Sequence, residues 1–185
     1  MTPILGIMAS QISGHLYAPT GSMYHISTTT LSTATATVTF SSIPADYTHL
    51  QVRALVRETS TSNGYNARFN SDSGSNYARH YLIGDGSSAA AAGYTAQTSA
   101  ILSDATKSSS GANIFGASVC DILDYTNTNK YTTIRTLGGF DNNGSGSIDF
   151  LSGLWLNTAA ITTITIIPDA GNFATYSSFS LYGVK

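Results

Sequence analysis

Four histidines, one cysteine, one glutamate and nine aspartates are the candidate catalytic and metal-binding residues of this 185-residue chain. No two histidines lie two or four positions apart, the spacings that place two side chains on one face of a strand or helix. Cys120 is the only cysteine, so neither an intrachain disulfide nor a cysteine-based metal site can form. We therefore predict no metal site, and we expect Cys120 to be a small core residue in a strand. The histidines are His15, His25, His49 and His80.

The carboxylates form no catalytic pair in the sequence. Asp121 and Asp124 in "CDILD" fall on opposite faces if that stretch is a strand, because side chains alternate. A glycosidase-type pair of carboxylates is therefore not supported there. Glu58, the only glutamate, has no other acid near it in the sequence. The chain is predicted to be no enzyme, with no catalytic residues and no cofactor.

Two polar loops partly imitate a calcium-binding loop. In "DNNGSGS" (141–147), Asp141, Asn143 and Ser145 stand at positions 1, 3 and 5 with a glycine at 6. Position 12 is Ser152, so the bidentate glutamate is missing. The Asn-Gly pair instead favours a hairpin turn, and "NSDSGSN" (70–76) is interpreted as a turn in the same way.

The composition indicates a protein with a hydroxyl-rich, charge-poor surface. Charged residues make up 10% of the chain, against roughly 25% in ordinary globular proteins. Serine and threonine number 26 and 25, and the net charge is -2. We expect no nucleic-acid partner and, without an apolar run of about 18–20 residues, no membrane span. So few charges protect poorly against self-association, which suggests that part of the surface is covered in an assembly.

The hydrophobic pattern has a period of two along most of the chain. In "HLQVRALVRE" (49–58), the apolar residues at 50, 52, 54 and 56 alternate with Gln51, Arg53, Leu55 and Arg57. This alternation predicts a strand with one face in the core and one wet or partner-facing. Comparable stretches recur with turn signals about every 8–12 residues. They predict an all-β fold, an antiparallel β-sandwich or jelly roll of about nine or ten strands. The other strand candidates are 35–40, 66–71, 78–84, 113–125, 131–140, 148–157, 161–168 and 178–185.

Two regions lack this pattern. The Ala/Ser-rich middle, residues 85–112, is interpreted as long loops around one short strand or turn near 98–102. Residues 1–22 form an uncharged arm, and residues 23–185 the single sandwich domain. The apolar residues of the arm are predicted to lie against another protein, the alternative being that the arm folds back on its own sandwich. These residues are Ile4, Leu5, Ile7, Met8, Ile12 and Leu16.

Tyrosine is abundant, with 11 residues. Tyrosine on exposed loops provides contact area at low entropic cost and can stack on sugars. Tyr65, Tyr77 and Tyr94 lie in or near predicted loops and are candidates for contact with a receptor glycan; packing at the sandwich edges is the alternative.

Several long stretches resemble a group of small virion structural proteins of tailed bacteriophages, especially cyanophages and marine phages. They are "ILGIMASQISGHL" (4–16), "FSSIPADYTHLQVRALVR" (40–57), "RFNSDSGSNYARHYL" (68–82), "DILDYTNTNKYTTIRTLGGFDNNGSGSI" (121–148) and the final 33 residues (153–185). The resemblance covers most of the chain apart from the Ala/Ser-rich middle. It implies a β-sandwich, a homotrimer and no cofactor.

The resemblance and the residues together predict a capsid decoration (cement) protein on the outer surface of the virion. Its arm would bind the major capsid protein or another virion protein. The alternative is a tail-fibre or head-fibre receptor-binding module, attached by the same arm and contacting host surface polysaccharide. A free carbohydrate-binding or hydrolytic domain is a third possibility.

Overall fold

The computed structural model describes residues 21–62 and 64–185. Across these residues the chain forms twelve strands and no helix. The strands are β1 (Met23–Thr30), β2 (Val38–Phe40), β3 (His49–Val56), β4 (Gly64–Phe69), β5 (Tyr77–Gly84), β6 (Ala89–Gln97), β7 (Ala100–Asp104), β8 (Gly116–Leu123), β9 (Thr132–Asp141), β10 (Gly146–Trp155), β11 (Ile164–Pro168) and β12 (Ser178–Val184).

The strands form two antiparallel sheets, which confirms the predicted β-sandwich. The larger sheet has the order β1-β12-β3-β8-β9-β10-β5-β6, and the smaller has the order β2-β11-β4-β7. Neither sheet closes on itself. The sandwich has more strands than the nine or ten predicted, chiefly because β1 and β6 were not recognised in the sequence. The predicted arm, residues 1–22, lies outside the described residues up to position 20.

Eight of the strands follow a jelly-roll path. Along β1, β2, β3, β4, β7, β8, β11 and β12, the chain changes sheet at every step except from β4 to β7, which are neighbours in the smaller sheet. The result is β1-β12-β3-β8 in one sheet facing β2-β11-β4-β7 in the other. The predicted jelly roll is therefore present as a complete eight-strand unit.

The other four strands are two hairpins that enlarge one sheet only. The hairpin β5–β6 is inserted between β4 and β7, and the hairpin β9–β10 between β8 and β11. Both join the larger sheet beyond β8, as β8-β9-β10-β5-β6. We call these four strands the sheet extension. The larger sheet is therefore twice as wide as the smaller one.

Alternation along the strands sorts side chains between the core and the outside. On β3, Leu50, Val52, Ala54 and Val56 are buried, and the residues between them point outward, as predicted. Cys120 on β8 is fully buried, also as predicted. Burial raises the pKa of its thiol to about 12, so it stays a neutral thiol, a small apolar core group.

An aromatic cluster attaches the extension to the smaller sheet. Trp155 at the end of β10 packs its ring 5.5 Å from Phe69 of β4 and nearly parallel to Tyr77 of β5. The indole Nε1–H of Trp155 donates to Asp72 Oδ2 at 2.8 Å. The Tyr77 hydroxyl donates to the Asp72 carbonyl at 3.1 Å and accepts from the Phe69 amide. The turn after β4 is thus fixed by the same residues that hold the two hairpins in place.

The Ala-rich stretch within the middle region is a strand, not the predicted loop. Residues 89–92 pair with β5, where Ala91 lies opposite Leu82. The turn before it is closed by Asp85, whose Oδ1 accepts the amides of Ser87 and Ser88 at 2.8 and 2.7 Å. A tight hairpin imposes strand geometry on alanines that have no strong preference for it. The short strand predicted near residues 98–102 is present as β7.

We predict that Asp72→Ala destabilises the fold by about 1–3 kcal/mol, because it leaves the buried indole N–H of Trp155 without an acceptor. Urea unfolding followed by the emission of Trp155, the only tryptophan, measures this change. Ser73→Ala, at an exposed position of the same turn, is the matched control. Equal midpoints for the two variants would contradict the role assigned to Asp72.

Candidate interaction surface

The outer face of the larger sheet, directed away from the smaller sheet, carries large apolar side chains where a solvated sheet carries polar ones. Strand register aligns them in two neighbouring rows. In the first row Val119, Leu137, Phe150 and Leu82 are side by side on β8, β9, β10 and β5. The second row runs Leu55, Ala117, Gly139, Ile148 and Gly84 from β3 to β5.

We define the apolar band as the six large residues of these rows. Ile148 is 69% exposed and Leu137 59%, and every member is at least 39% exposed. Half-exposed side chains of this size present on the order of 500–600 Å² together, at the upper end for the largest apolar patch of a monomer. Patches of this size are often functional, which makes this surface the candidate interaction site. The band consists of Leu55, Leu82, Val119, Leu137, Ile148 and Phe150.

Between its two large residues, the second row carries only glycine and alanine, so the surface is recessed there. Ala117, Gly139 and Gly84 leave space beside Ile148, and they line an open depression of about 490 Å³. Gly139 has a φ of 134°, and a Cβ there would lie 2.1 Å from the Ser147 carbonyl oxygen. The backbone therefore excludes any side chain at this position. The outer face alternates a ridge of large residues with a trough of small ones.

A connected polar row borders the band. Arg53 Nε donates to Gln51 Oε1 at 2.8 Å, and Gln51 Nε2 donates to Asp121 Oδ1 at 2.8 Å. The Arg53 guanidinium also lies over the Tyr182 ring, 5.3 Å from its centre. Arg135 stands opposite Asp121 on the next strand. This is the wet or partner-facing side that the alternation in β3 predicts.

Two opposite charges lie on β9 at either side of the band. Arg135, Leu137, Gly139 and Asp141 follow one another on the outer face of this strand, and both charged residues are exposed. Arg135 makes no hydrogen bond or ion pair with any residue in 21–62 or 64–185. Asp141 Oδ1 accepts the Gly144 amide at 3.1 Å in the hairpin turn. The predicted turn at 141–147 is confirmed, with Asn143 and Gly144 both at positive φ.

The placement of two candidate tyrosines on receptor-facing loops is wrong. Tyr65 lies on β4 and Tyr77 on β5, and both are buried in the core. Tyr65 packs edge-on against Phe173, and its hydroxyl bonds to Ser118. The turn-forming residues next to each tyrosine in the sequence do form turns, but the tyrosines themselves lie in the adjoining strands.

The third candidate, Tyr94, is exposed on β6. It stacks on Tyr81 with ring centres 6.1 Å apart. The Arg79 guanidinium lies over the Tyr94 ring, 4.9 Å from its centre. These three residues form a small aromatic and cationic platform on the extension. The arm candidates Ile4, Leu5, Ile7, Met8, Ile12 and Leu16 lie outside the described residues.

Asp121 and Asp124 are in separate surroundings, in line with the prediction that they form no pair. Strand β8 ends at Leu123, and Asp124 follows with a φ of 51°. Asp124 binds Lys130 and lies 3.2 Å from His49 Nδ1. In the described part of the chain, no three histidine, cysteine or acidic residues are placed to hold a metal ion.

An unexpected group of acids is buried between the sheets. Asp149 Oδ2 accepts from Ser103 Oγ at 2.9 Å and from the Asp104 amide at 2.7 Å, and its Oδ1 accepts from Ser147 Oγ at 2.9 Å. Burial, together with the Asp149 charge, raises the pKa of Asp104 to about 7. Sequence reasoning missed this group because Asp149 stands inside an apolar strand.

Glu58 belongs to the same interior. It is fully buried; its Oε2 accepts from Ser60 Oγ at 3.1 Å, and its Oε1 has no partner. Burial, with added repulsion from Asp169 and Asp104, raises its pKa to about 8. Carboxyls with raised pKa values are typical of acid–base catalysts, but Glu58 and Asp149 are closed to any substrate. The geometry therefore favours the apolar band over this group as the functional surface.

No protein-family model matches this chain, and neither does any curated protein. The part of the chain that the structure describes contains no helix long and apolar enough to cross a membrane.

We predict that the folded protein loses stability as the pH rises from about 4.5 to 8. In this range Glu58 is ionised in the unfolded chain but still protonated in the folded one, so folding binds a proton that higher pH removes. Glu58→Gln should flatten this slope and raise the melting temperature at pH 8 by at least about 5 °C.

Thermal unfolding from pH 4.5 to 8.5 measures the effect. Asp46→Asn, which neutralises an exposed carboxylate, is the control and should keep the wild-type slope. A Glu58→Gln variant with that same slope would contradict the assignment.

Proposed function

We propose that this chain is a non-enzymatic structural subunit of a bacteriophage virion, namely a capsid decoration (cement) protein bound to the outside of the capsid. The observation that carries the proposal is the apolar band on the outer face of the larger sheet. A surface of this kind is stabilised when protein covers it. A structural subunit needs such a surface, and a monomeric enzyme does not.

The sheet extension supports the proposal. Four of the six band residues, Leu82, Leu137, Ile148 and Phe150, are on strands that the eight-strand jelly roll does not need. The extra hairpins enlarge one face without enclosing a cavity for a substrate. Their contribution is contact area.

The fold and the sequence resemblance point the same way. Jelly rolls occur in viral capsid proteins, and also in lectins and cupins, so the fold alone does not decide the function. The resemblance to phage virion proteins favours the first of these. The surface, rich in hydroxyls and with 10% charged residues, suits a protein that is partly covered in its working state.

The arm is the proposed anchor to the major capsid protein or another virion protein. Residues 1–45 carry no Asp, Glu, Lys or Arg, and the arm includes six large apolar residues. At roughly 25 cal/mol per Å², a few hundred Å² of burial per arm contributes several kcal/mol. Attachment of an oligomer through several arms slows dissociation further.

We predict that purified particles contain hundreds of copies of the chain, because a capsid lattice repeats its binding sites. Quantitative gel densitometry against the major capsid protein measures the number. Deleting residues 1–17 should release the protein from particles and leave the jelly roll folded. A count of a few dozen would favour a fibre, and full binding of the truncated protein would exclude the arm as anchor.

The second candidate function is a fibre-type receptor-binding module, which the platform of Tyr81, Tyr94 and Arg79 favours. Stacked tyrosines with a neighbouring guanidinium provide both a sugar-stacking surface and a hydrogen-bond donor. This candidate assigns host polysaccharide as the partner.

A glycan array with the full-length chain separates the two functions. We expect no specific signal, because the decoration role needs none. A specific signal that Tyr94→Ala abolishes and Tyr176→Ala keeps would favour the receptor-binding module. Tyr176 is 75% exposed and lies outside the platform, so it is the matched control.

A further inference from the structure

The outer face of the larger sheet has a pattern that complements itself. On β9, Leu137 of the first row is followed by Gly139 of the second, and on β8 Val119 is preceded by Ala117. On β5 the pair is Leu82 and Gly84. A large residue in the first row therefore stands beside a small one in the second on β8, β9 and β5. On β10, which lies between β9 and β5, Phe150 and Ile148 are both large.

We propose that this face is the interface between two copies of this chain, packed face to face about a twofold axis that crosses the strands between the two rows. Such an axis exchanges the rows. Leu137 of one copy then lies over Gly139 of the other, and Leu82 over Gly84. On β8, β9 and β5 ridges thus enter troughs, as closely packed sheets require. On β10, Phe150 of each copy meets Ile148 of the other in an apolar contact.

The same axis pairs the opposite charges on β9. Arg135 and Asp141 are equally far from its crossing point between Leu137 and Gly139, so Arg135 of each copy faces Asp141 of the other. Arg135, without a polar partner in the described residues, gains one. Packing about a threefold axis along the strands would instead bring residues of equal height together, with ridge against ridge and trough against trough. The pattern therefore selects the twofold arrangement for this face.

The face is large enough for a stable pair. Eight strands about 4.8 Å apart and about seven residues long, at 3.3 Å per residue, cover roughly 900 Å². A standard stable interface buries about 800 Å² on each partner. The inference rests on the proposed structural role, because it names the partner that covers the apolar band.

The mass of the purified full-length chain in solution tests the interface. Light scattering over a range of concentrations should give twice the chain mass of 19.4 kDa. The double variant Leu137→Thr, Phe150→Thr keeps strand-forming residues at exposed sites and should weaken association by about a hundredfold. Leu156→Thr, which removes an exposed leucine outside the band, should leave association unchanged. The buried Trp155 reports in each case that the fold is intact.

A charge exchange tests the symmetry. Arg135→Glu places two like-charged contacts in the pair, and so does Asp141→Lys, so each variant alone should associate about tenfold or more weakly. Mixing the two variants should restore association, because one chain of each kind makes both contacts complementary. A folding defect in either variant cannot produce that rescue.

Three results would overturn the proposal: a wild-type chain that is monomeric at all concentrations or trimeric, a band variant that associates like the wild type, or single charge variants that weaken association without rescue on mixing. Particle copy number bears only on the proposed function, and the mass of the purified chain bears only on this interface. A failure of the proposed function can therefore be told apart from a failure of the twofold interface.

Discussion

The contact of Trp155 with Phe69 and Tyr77 is the constraint on which the outer face depends. The smaller sheet has four strands and the larger has eight, so the smaller sheet covers the extension only in part, chiefly through β7 against β9 and β10. Two-stranded hairpins are marginally stable by themselves. The aromatic cluster gives these hairpins a buried anchor, and its hydrogen bonds to Asp72 fix the turn that leads into them. Because the cluster aligns β5 with β10, it also aligns Leu82 with Phe150 in the apolar band.

Once the extension is anchored, alternation decides what each face carries. On β10, Asp149 and Leu151 point into the sandwich, while Ile148 and Phe150 point out of it. This reverses the usual order, since an acid is inside and two large apolar residues are outside. The buried acid is satisfied by Ser103, Ser147 and a backbone amide. The exposed apolar residues have no such compensation among residues 21–62 and 64–185, which is why the proposed function rests on them.

Much of the fold could be predicted from the sequence, because a period of two is a direct property of strands. It located β3, β8, β9, β10 and β12, the burial of Cys120, and the Asn143-Gly144 turn. Strand β6 was missed because alanine and glycine show no alternation and only the hairpin partner imposes the geometry. Tyr65 and Tyr77 were misplaced because nearby turn residues look like loops although the tyrosines themselves begin strands.

The interaction surface could not be predicted because it depends on register. Several strands have apolar residues on both of their faces. The sequence does not say which face packs against the second sheet. Nor does it show that four residues far apart in the chain form one row on the sheet. These residues are Leu82, Val119, Leu137 and Phe150. The one signal in the sequence lies in 113–125, which carries apolar residues on both faces and supplies Val119 to the band.

The composition of β6 implies a gradient of local stability across the larger sheet. This strand is paired only with β5 among the described strands, and most of its side chains are small and exposed on both faces. It gains backbone hydrogen bonds but little apolar burial, so its local opening requires far less free energy than that of β3 or β8. Amide hydrogens should exchange first in β6 and last in strands that are covered by the opposite sheet, such as β3 and β8. The eight-strand jelly roll can thus stay folded while β6, the outermost strand of the extension, opens locally.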